Sequence, residues 1–296
     1  MVPLRPPRSA PAHEPPLTIL WAMTVVPSPF FESGHPSLQA PADAGARLWR
    51  YMDFTKFVSL LSTKSLWFSR SSMLGDPWEG AYTRANLERR LAEISSLRNT
   101  ARMSAADEDR FIRNLVATER SIYVNCWHMS EIESAAMWRL YLSSGAGVAI
   151  ESTWERLVSS LGEPEHPATK MIGGRVRYLD PEAAPVDPDD IALNGFSAHG
   201  IKRPSFSHER EVRLMFWALD PANTSGMTSE ITLPGIRVPV ELTALVQGIR
   251  LSPLSPAWFM ELVQDVARRY GFSASVRPSD LDREPTQYRL RPPSSP

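Results

Sequence analysis

The 296-residue chain contains a single cysteine, Cys126. That excludes an internal disulfide framework and any zinc or iron–sulfur site built on several cysteines. A reducing cytoplasm is the compartment such a composition fits. Charge of one sign is also lacking: 32 Lys and Arg against 33 Asp and Glu leave a net charge of −1, so no global basic surplus advertises nucleic acid or an anionic membrane. The apolar run Leu17–Val26 is ten residues long, far short of a bilayer span. As a secretion signal it would need a basic start and a small-residue cleavage site, yet it follows Glu14-Pro15-Pro16 and runs into Pro27-Ser28-Pro29. No Gly-x-Gly-x-x-Gly follows a strand, and no Walker loop is present. His208-Glu209 does not open a metalloprotease helix, because Val212 stands where the second histidine belongs. No repeat is visible at any period.

What remains is an ordinary globular composition, 43% hydrophobic and 22% charged, on a chain long enough for one large domain or two small ones. Proline is the outlier, with 27 residues, ten of them within positions 1–41 and four within 285–296. Those clusters predict a Pro-rich disordered tail over 1–46, a single domain over 47–280 and a disordered C-terminal tail over 281–296. A translation start at Met23 is a second reading of the first tail.

Within the domain, Leu48–Tyr51 reads as a strand, followed by a helix capped by Asp53 with Phe54, Phe57, Val58 and Leu61 on one face. Leu66–Ser69 reads as a second strand, ended by a loop around Asp76-Pro77. Residues 84–120 read as two helices, the second starting near Ser104. Ile122–Trp127 and Gly147–Ile150 read as strands, with a helix holding Met137, Trp138 and Tyr141 between them. A Pro/Asp-rich connector over 180–190 precedes the stretch Lys202–Ala218. The last elements predicted are a strand over Leu245–Leu251, a helix from Pro256 to Tyr270 with Ser255 as N-cap and Gly271 just past its end, and a strand near Ser275–Arg277. Short elements in irregular order predict an α+β fold with short mixed or antiparallel sheets flanked by helices.

Cys126 and His128 share a strand face, so a thiolate–imidazole pair is geometrically open to them. A lone Cys in an apolar strand is more simply a small buried hydrophobe, and burial without metal or imidazole contact is the expectation. Read as a strand, Ser207–Trp217 places Glu209, Glu211 and Arg213 on one face and Val212, Leu214 and Phe216 on the other. Two carboxylates about 7 Å apart along one strand suit a division in which one orients a substrate hydroxyl and the other handles an acceptor proton. A charge ladder cross-paired with arginines would produce the same pattern.

Three blocks in order resemble a widespread bacterial domain-of-unknown-function family. They are Leu48-Trp-Arg-Tyr51 with Leu66-Trp-Phe-Ser69 and Leu74-Gly-Asp-Pro-Trp-Glu79; Cys126-Trp-His-Met-Ser130 through Met137-Trp138, Tyr141 and Gly147–Ile150; and Lys202 through Phe206, Glu209-Arg-Glu211 and Arg213. The family has Asn before the Asp-Pro, Phe at the place of Trp127 and Trp at the place of Val212. Its members often stand beside bacterial defence genes, and their motif layout is similar to that of mono-ADP-ribosyltransferases.

The resemblance implies an ADP-ribosyltransferase-like fold and NAD as substrate. Arg50 would contact its phosphates, Ser130 would orient the carboxylate, Glu211 would bind the nicotinamide-ribose hydroxyl, Glu209 would assist the acceptor, and Trp127 or Tyr51 would stack on the nicotinamide. Arg50, Glu209 and Glu211 are then expected to come from adjacent strands. Each residue also has a plainer reading: Arg50 in an ion network with the two glutamates, Ser130 as a helix N-cap, Trp127 as core. Two functions follow. One is an NAD-dependent ADP-ribosyl-transferring enzyme, a defence or toxin component with an unknown protein or nucleic-acid acceptor. The other is a catalytically silent sensing or partner-binding domain.

Overall fold

Strand β1 runs over Arg47–Asp53, longer at both ends than the sequence pattern suggests. Leu48 and Met52 enter the main core, whereas Trp49 and Tyr51 pack with Met137, Trp138 and Ala149 on the other face. Helix α1 (Phe54–Thr63) follows at once, buries Phe57, Leu60 and Leu61, and ends at Lys64 in the left-handed region. Asp53 occupies its N-cap position without making the expected side-chain cap bond. Strand β2 (Ser65–Arg70) buries Leu66 and Phe68 and turns Trp67 outward.

This computed structural model describes residues 27–101, 104, 106, 109, 120–142, 146–184, 196–221 and 231–286. Helix α2 covers Arg84–Ala101. The second helix predicted from Ser104 falls mostly outside the described residues, as do the connector from residue 185 and the chain on either side of 27–286. Strand β3 (Ile122–Met129) leads through α3 (Ala135–Tyr141) to β4 (Gly147–Thr153) and α4 (Trp154–Ser159). Then come β5 (Ile172–Arg175), β6 (Arg177–Tyr178), α5 (Phe196–His199), β7 (Ile201–Lys202) and β8 (Glu211–Trp217). The chain closes with β9 (Gly235–Pro239), α6 (Leu242–Leu245), β10 (Gly248–Leu251), α7 (Ala257–Arg269) and β11 (Val276–Arg277).

The fold is α+β: one nine-stranded mixed sheet flanked by helices, with β6 and β7 as a separate parallel pair. Its path is β11, β10, β4, β1, β3, β2, β9, and β8 and β5 branch from β3. All its pairings are antiparallel except β10 with β11. Alternate residues of β1, β3, β4 and β8 enter the main core with α1, α4 and α7, so the strand period of two decides which side chains are removed from water.

Four expectations change. The N-terminal boundary moves: within the expected tail, Phe31 is buried edge-to-face on Trp154 at 5.7 Å, Leu38 is buried, and Phe31 and Gln39 make bridges to Met171 and Arg175. Prolines break up regular structure there, but two apolar side chains still anchor the segment. The strand predicted from Ser207 begins only at Glu211, because Pro204–Glu209 winds into a 3-10 helix closed by Arg210 at φ 41°. The strand predicted over Leu245–Leu251 is shortened by α6. At α7, Pro256 rather than Ser255 occupies the N-cap position, while Gly271 takes the positive φ of 70° expected past its end.

Candidate functional site

Strand β3 pairs with β8 along its whole length, from Ile122 opposite Trp217 to His128 opposite Glu211. Its other edge is shared. Trp49 and Leu48 of β1 pair with His128 and Met129, whereas Ser69 and Arg70 of β2 pair with Val124 and Tyr123. Between them Asn125, Cys126 and Trp127 have no strand partner on that edge, and the sheet is forked. Helix α1, which joins the end of β1 to the start of β2, lines the opening with Lys56, Ser59, Leu60 and Thr63. The opening is a cavity of about 590 Å³.

Backbone groups at a fork need partners in place of the missing strand. Arg50 supplies one: its Nη1 donates to the Cys126 carbonyl (2.9 Å) and to Asn125 Oδ1 (2.8 Å). Asn125 Oδ1 also accepts from Trp127 Nε1 (2.8 Å), and its Nδ2 donates to the Trp67 carbonyl (2.8 Å). One amide side chain thus ties the two prongs together. The Arg50 guanidinium stands 5.7 Å from the Trp127 ring centre, and burial depresses its pKa. Among the described residues no carboxylate pairs with it.

The far end of the cavity is acidic. Arg213 is fully buried and all five of its donors are engaged. Nε and Nη2 reach Glu211 (2.6 and 3.3 Å), Nη2 also reaches Glu79 (3.1 Å), and Nη1 reaches Glu79 and the His199 carbonyl. Lys202 Nζ lies 2.9 Å from Glu211 and hydrogen-bonds Glu209. The Tyr178 hydroxyl accepts from the Glu211 amide (2.8 Å), and His128 Nδ1, 2.6 Å from the Glu209 carbonyl, is the protonated ring nitrogen because a carbonyl can only accept.

Three carboxylates against two cations leave one negative charge in excess, and the two glutamates respond oppositely. Burial alone would raise the Glu211 pKa, but the Arg213 guanidinium and the Lys202 ammonium hold it at about 2. Burial lifts the Glu209 carboxyl above its ordinary value, helped by the neighbouring Glu211 charge and opposed by Lys202. A pair driven apart in this way gives one permanently ionised group and one able to carry a proton. Burial and the neighbouring Glu211 carboxylate push the Cys126 thiol up; burial and Glu211 also push Tyr178 up to about 12.

A second cavity of about 370 Å³ lies beyond the pair, lined by Asp76, Glu79, Lys202, Arg203 and Phe206. Leu74, Cys126, Tyr141, Glu209 and Glu211 line both cavities, so the carboxylates stand at their junction.

The predicted site residues separate accordingly. Arg50, Glu209 and Glu211 line one cavity but do not come from adjacent strands as expected: β3 lies between β1 and β8, Glu209 sits in the 3-10 helix before β8, no ion pair joins Arg50 to either carboxylate, and strand alternation sets Arg50 on the face opposite Glu211 and Arg213. Arg50 reaches the cavity only through the fork. Glu209 and Glu211 do not share a strand face, because the left-handed Arg210 separates them; Lys202 brings them together instead. Ser130 lines neither cavity. Its Oγ accepts from the Ile132 amide (3.3 Å), and Ser134 is the residue that caps α3. Trp127 and Tyr51 line the cavity without offering open rings. Trp127 is 2% exposed with Arg50 beside it, and Tyr51 is packed 4.9 Å from Trp138 with its hydroxyl bound to the Ser134 amide. Cys126 is only partly buried, beside the Glu211 carboxylate that lines the same cavities.

Sequence reasoning missed Asn125, Trp67 and Tyr178. The alternation Ser65-Leu66-Trp67-Phe68-Ser69 held the signal for Trp67, since it places that aromatic with the serines, away from the core. Among the described residues no His, Cys, Asp and Glu cluster is arranged to hold a metal, and no helix is long and apolar enough to cross a membrane. No protein-family model and no characterised protein matches this chain in sequence.

Proposed function

We propose that the forked cavity binds NAD and that the protein transfers its ADP-ribosyl group to an acceptor or to water. The observation that carries this reading is Arg50: a half-buried cation, held on neutral oxygens and without a carboxylate partner among the described residues, on the wall of a cavity large enough for a nucleotide. A buried charge is costly unless matched, so the site favours an anionic ligand such as a phosphate. At the other end Glu211 remains ionised at any physiological pH. As the bond between nicotinamide and ribose breaks, nicotinamide leaves with the electron pair, and the carboxylate stabilises the positive charge growing on the sugar. Glu209 accepts the proton of the attacking nucleophile. That the acceptor is a protein or nucleic acid, and that the setting is bacterial defence, rests on the resemblance of the three sequence blocks.

The silent-domain reading is favoured by one fact. Both Glu211 oxygens are engaged by Arg213, and Lys202 takes a further position on one of them. NAD titration calorimetry, together with nicotinamide release measured with and without cell lysate as acceptor, separates the two. Binding and release support the enzyme, binding without release supports the silent domain, and neither overturns the NAD reading.

A further inference from the structure

We infer that Trp67, with Arg237 and Lys56, forms the subsite for the nucleoside diphosphate half of the ligand, so that the base lies on Trp67 and the phosphates run from Arg237 and Lys56 to Arg50. This rests on the proposed nucleotide occupancy and assigns its direction: diphosphate and base at the rim of the fork, the reacting sugar at Glu209 and Glu211.

Two aromatic rings of the cavity wall are open: Tyr141, 41% exposed at the acidic junction, and, away from that junction, Trp67. It is 43% exposed between two buried neighbours, Leu66 and Phe68, and its indole fills the space that a Cβ at Gly235 would need, so the ring is seated on the glycine. Trp127, Trp49 and Tyr51 on the same wall are each 5% exposed or less. A planar base gains most from a ring that is fixed yet uncovered, because little side-chain freedom is lost on stacking.

Charge follows the same direction. Arg237 is the cross-strand partner of Trp67, and Lys56 reaches the wall from α1. Among the described residues neither pairs with a carboxylate. Arg50, from the other face of the sheet, reaches the same wall through the fork, so three cations without a carboxylate partner among the described residues line this cavity apart from its acidic junction. Asn125 fixes the spacing of the subsite: the amide that receives Arg50 also holds the Trp67 carbonyl. A diphosphate fits the cationic side and is repelled by the acidic one. Ser65 and Ser69, on the same strand face as Trp67, add hydroxyls to this part of the wall.

The test uses ADP, which carries base and diphosphate without nicotinamide, titrated into the full chain, with pyrophosphate and adenosine as the half-ligands. Wild type should bind ADP more tightly than either, with affinity falling as salt rises. Trp67→Ala should weaken ADP by about tenfold or more, and Trp67→Phe should restore most of the loss. Arg237→Glu should weaken ADP and pyrophosphate alike while leaving adenosine unchanged. Because Trp67 and Arg237 are exposed, thermal unfolding should show all three variants folded; if Trp67→Ala does not fold, Trp67→Phe and Arg237→Glu decide the question alone. Undetectable ADP binding, or ADP binding indifferent to Trp67 and Arg237, overturns the subsite. The NAD reading is judged separately. ADP binding that depends on Trp67 without nicotinamide release keeps the subsite and removes the enzyme, whereas NAD cleavage with an unchanged KM in Trp67→Ala keeps the enzyme and removes the subsite.

Discussion

Asn125 accepts a hydrogen bond from Arg50 Nη1 over 2.8 Å, and through this bond a side chain takes the place of a strand at the fork. The same amide holds Trp127 Nε1 and the Trp67 carbonyl, so it is both a structural tie and the neighbour that fixes the charge facing the cavity.

Asn125→Ala leaves those groups without their partner and should cost about 1–3 kcal/mol in urea denaturation, the penalty of unsatisfied buried polar groups. Asn125→Asp separates the two roles. It places a carboxylate beside Arg50 and should lower nucleotide affinity by about tenfold or more while costing less stability than Ala, because the new ion pair offsets the lost amide donor. Calorimetric titration with ADP and NAD reads the first effect, and a urea midpoint reads the second. Equal affinity in wild type and Asn125→Asp would detach Arg50 from ligand binding.

Arg213 offers a sharper stability prediction. Its planar guanidinium fills five bonds to Glu79, Glu211 and the His199 carbonyl, a geometry that three ammonium protons cannot copy. Arg213→Ala strands two buried carboxylates and should destabilise the fold by about 3–5 kcal/mol. Arg213→Lys should recover only part of that loss. A substitution to Ala costing under about 1 kcal/mol, the range of an exposed pair, would show the network to be solvated.

Much of this fold was legible in the sequence because burial follows a period of two in β1, β3 and β8 and of 3.6 in α1. The fork was not. It is made where β1 leaves β3 and β2 joins it, a matter of register between segments over fifty residues apart, and nothing local to Asn125 records it. The Glu209 and Glu211 pair was found for the wrong reason. Alternation continued unbroken through Arg210 in the sequence, while the backbone turned left-handed there, and Lys202 restored the pairing from another strand. Residues 27–46 were hidden by their prolines, which mask the anchoring of Phe31 and Leu38.

The two glutamates should give opposite pH signatures. Glu211 has its folded pKa depressed from 4.5 to about 2, so its contribution is present above the ordinary carboxylate value and is lost as pH falls through the folded one. Glu209 has its folded pKa raised, so its contribution is greatest when protonated and declines as pH rises past the ordinary value. Urea midpoints from acid to neutral pH should therefore show Glu211→Gln with a flattened acid loss and Glu209→Gln with a flattened decline on the alkaline side. In nicotinamide release, Glu211→Gln should lose orders of magnitude in rate with cofactor affinity nearly kept, and Glu209→Gln should impair transfer to an acceptor more than hydrolysis. Identical pH curves for the two variants would remove the division of roles.

Cys126 can report on the whole site, because its thiol stands at the junction of both cavities and beside Glu211. The thiolate is the reactive form, and here burial and the adjacent carboxylate both oppose it. Labelling of the native protein by a disulfide reagent should be slow compared with the urea-unfolded chain, even though the residue is partly open to the cavity. Glu211→Gln removes the opposing charge and should speed native labelling. Saturating NAD should protect Cys126 by filling the junction, while ADP, confined to the Trp67 side, should protect it less. Labelling as fast in the native protein as in urea would show that Glu211 and burial do not control the thiol, and equal protection by ADP and NAD would place the diphosphate at the carboxylates rather than at Arg237 and Lys56.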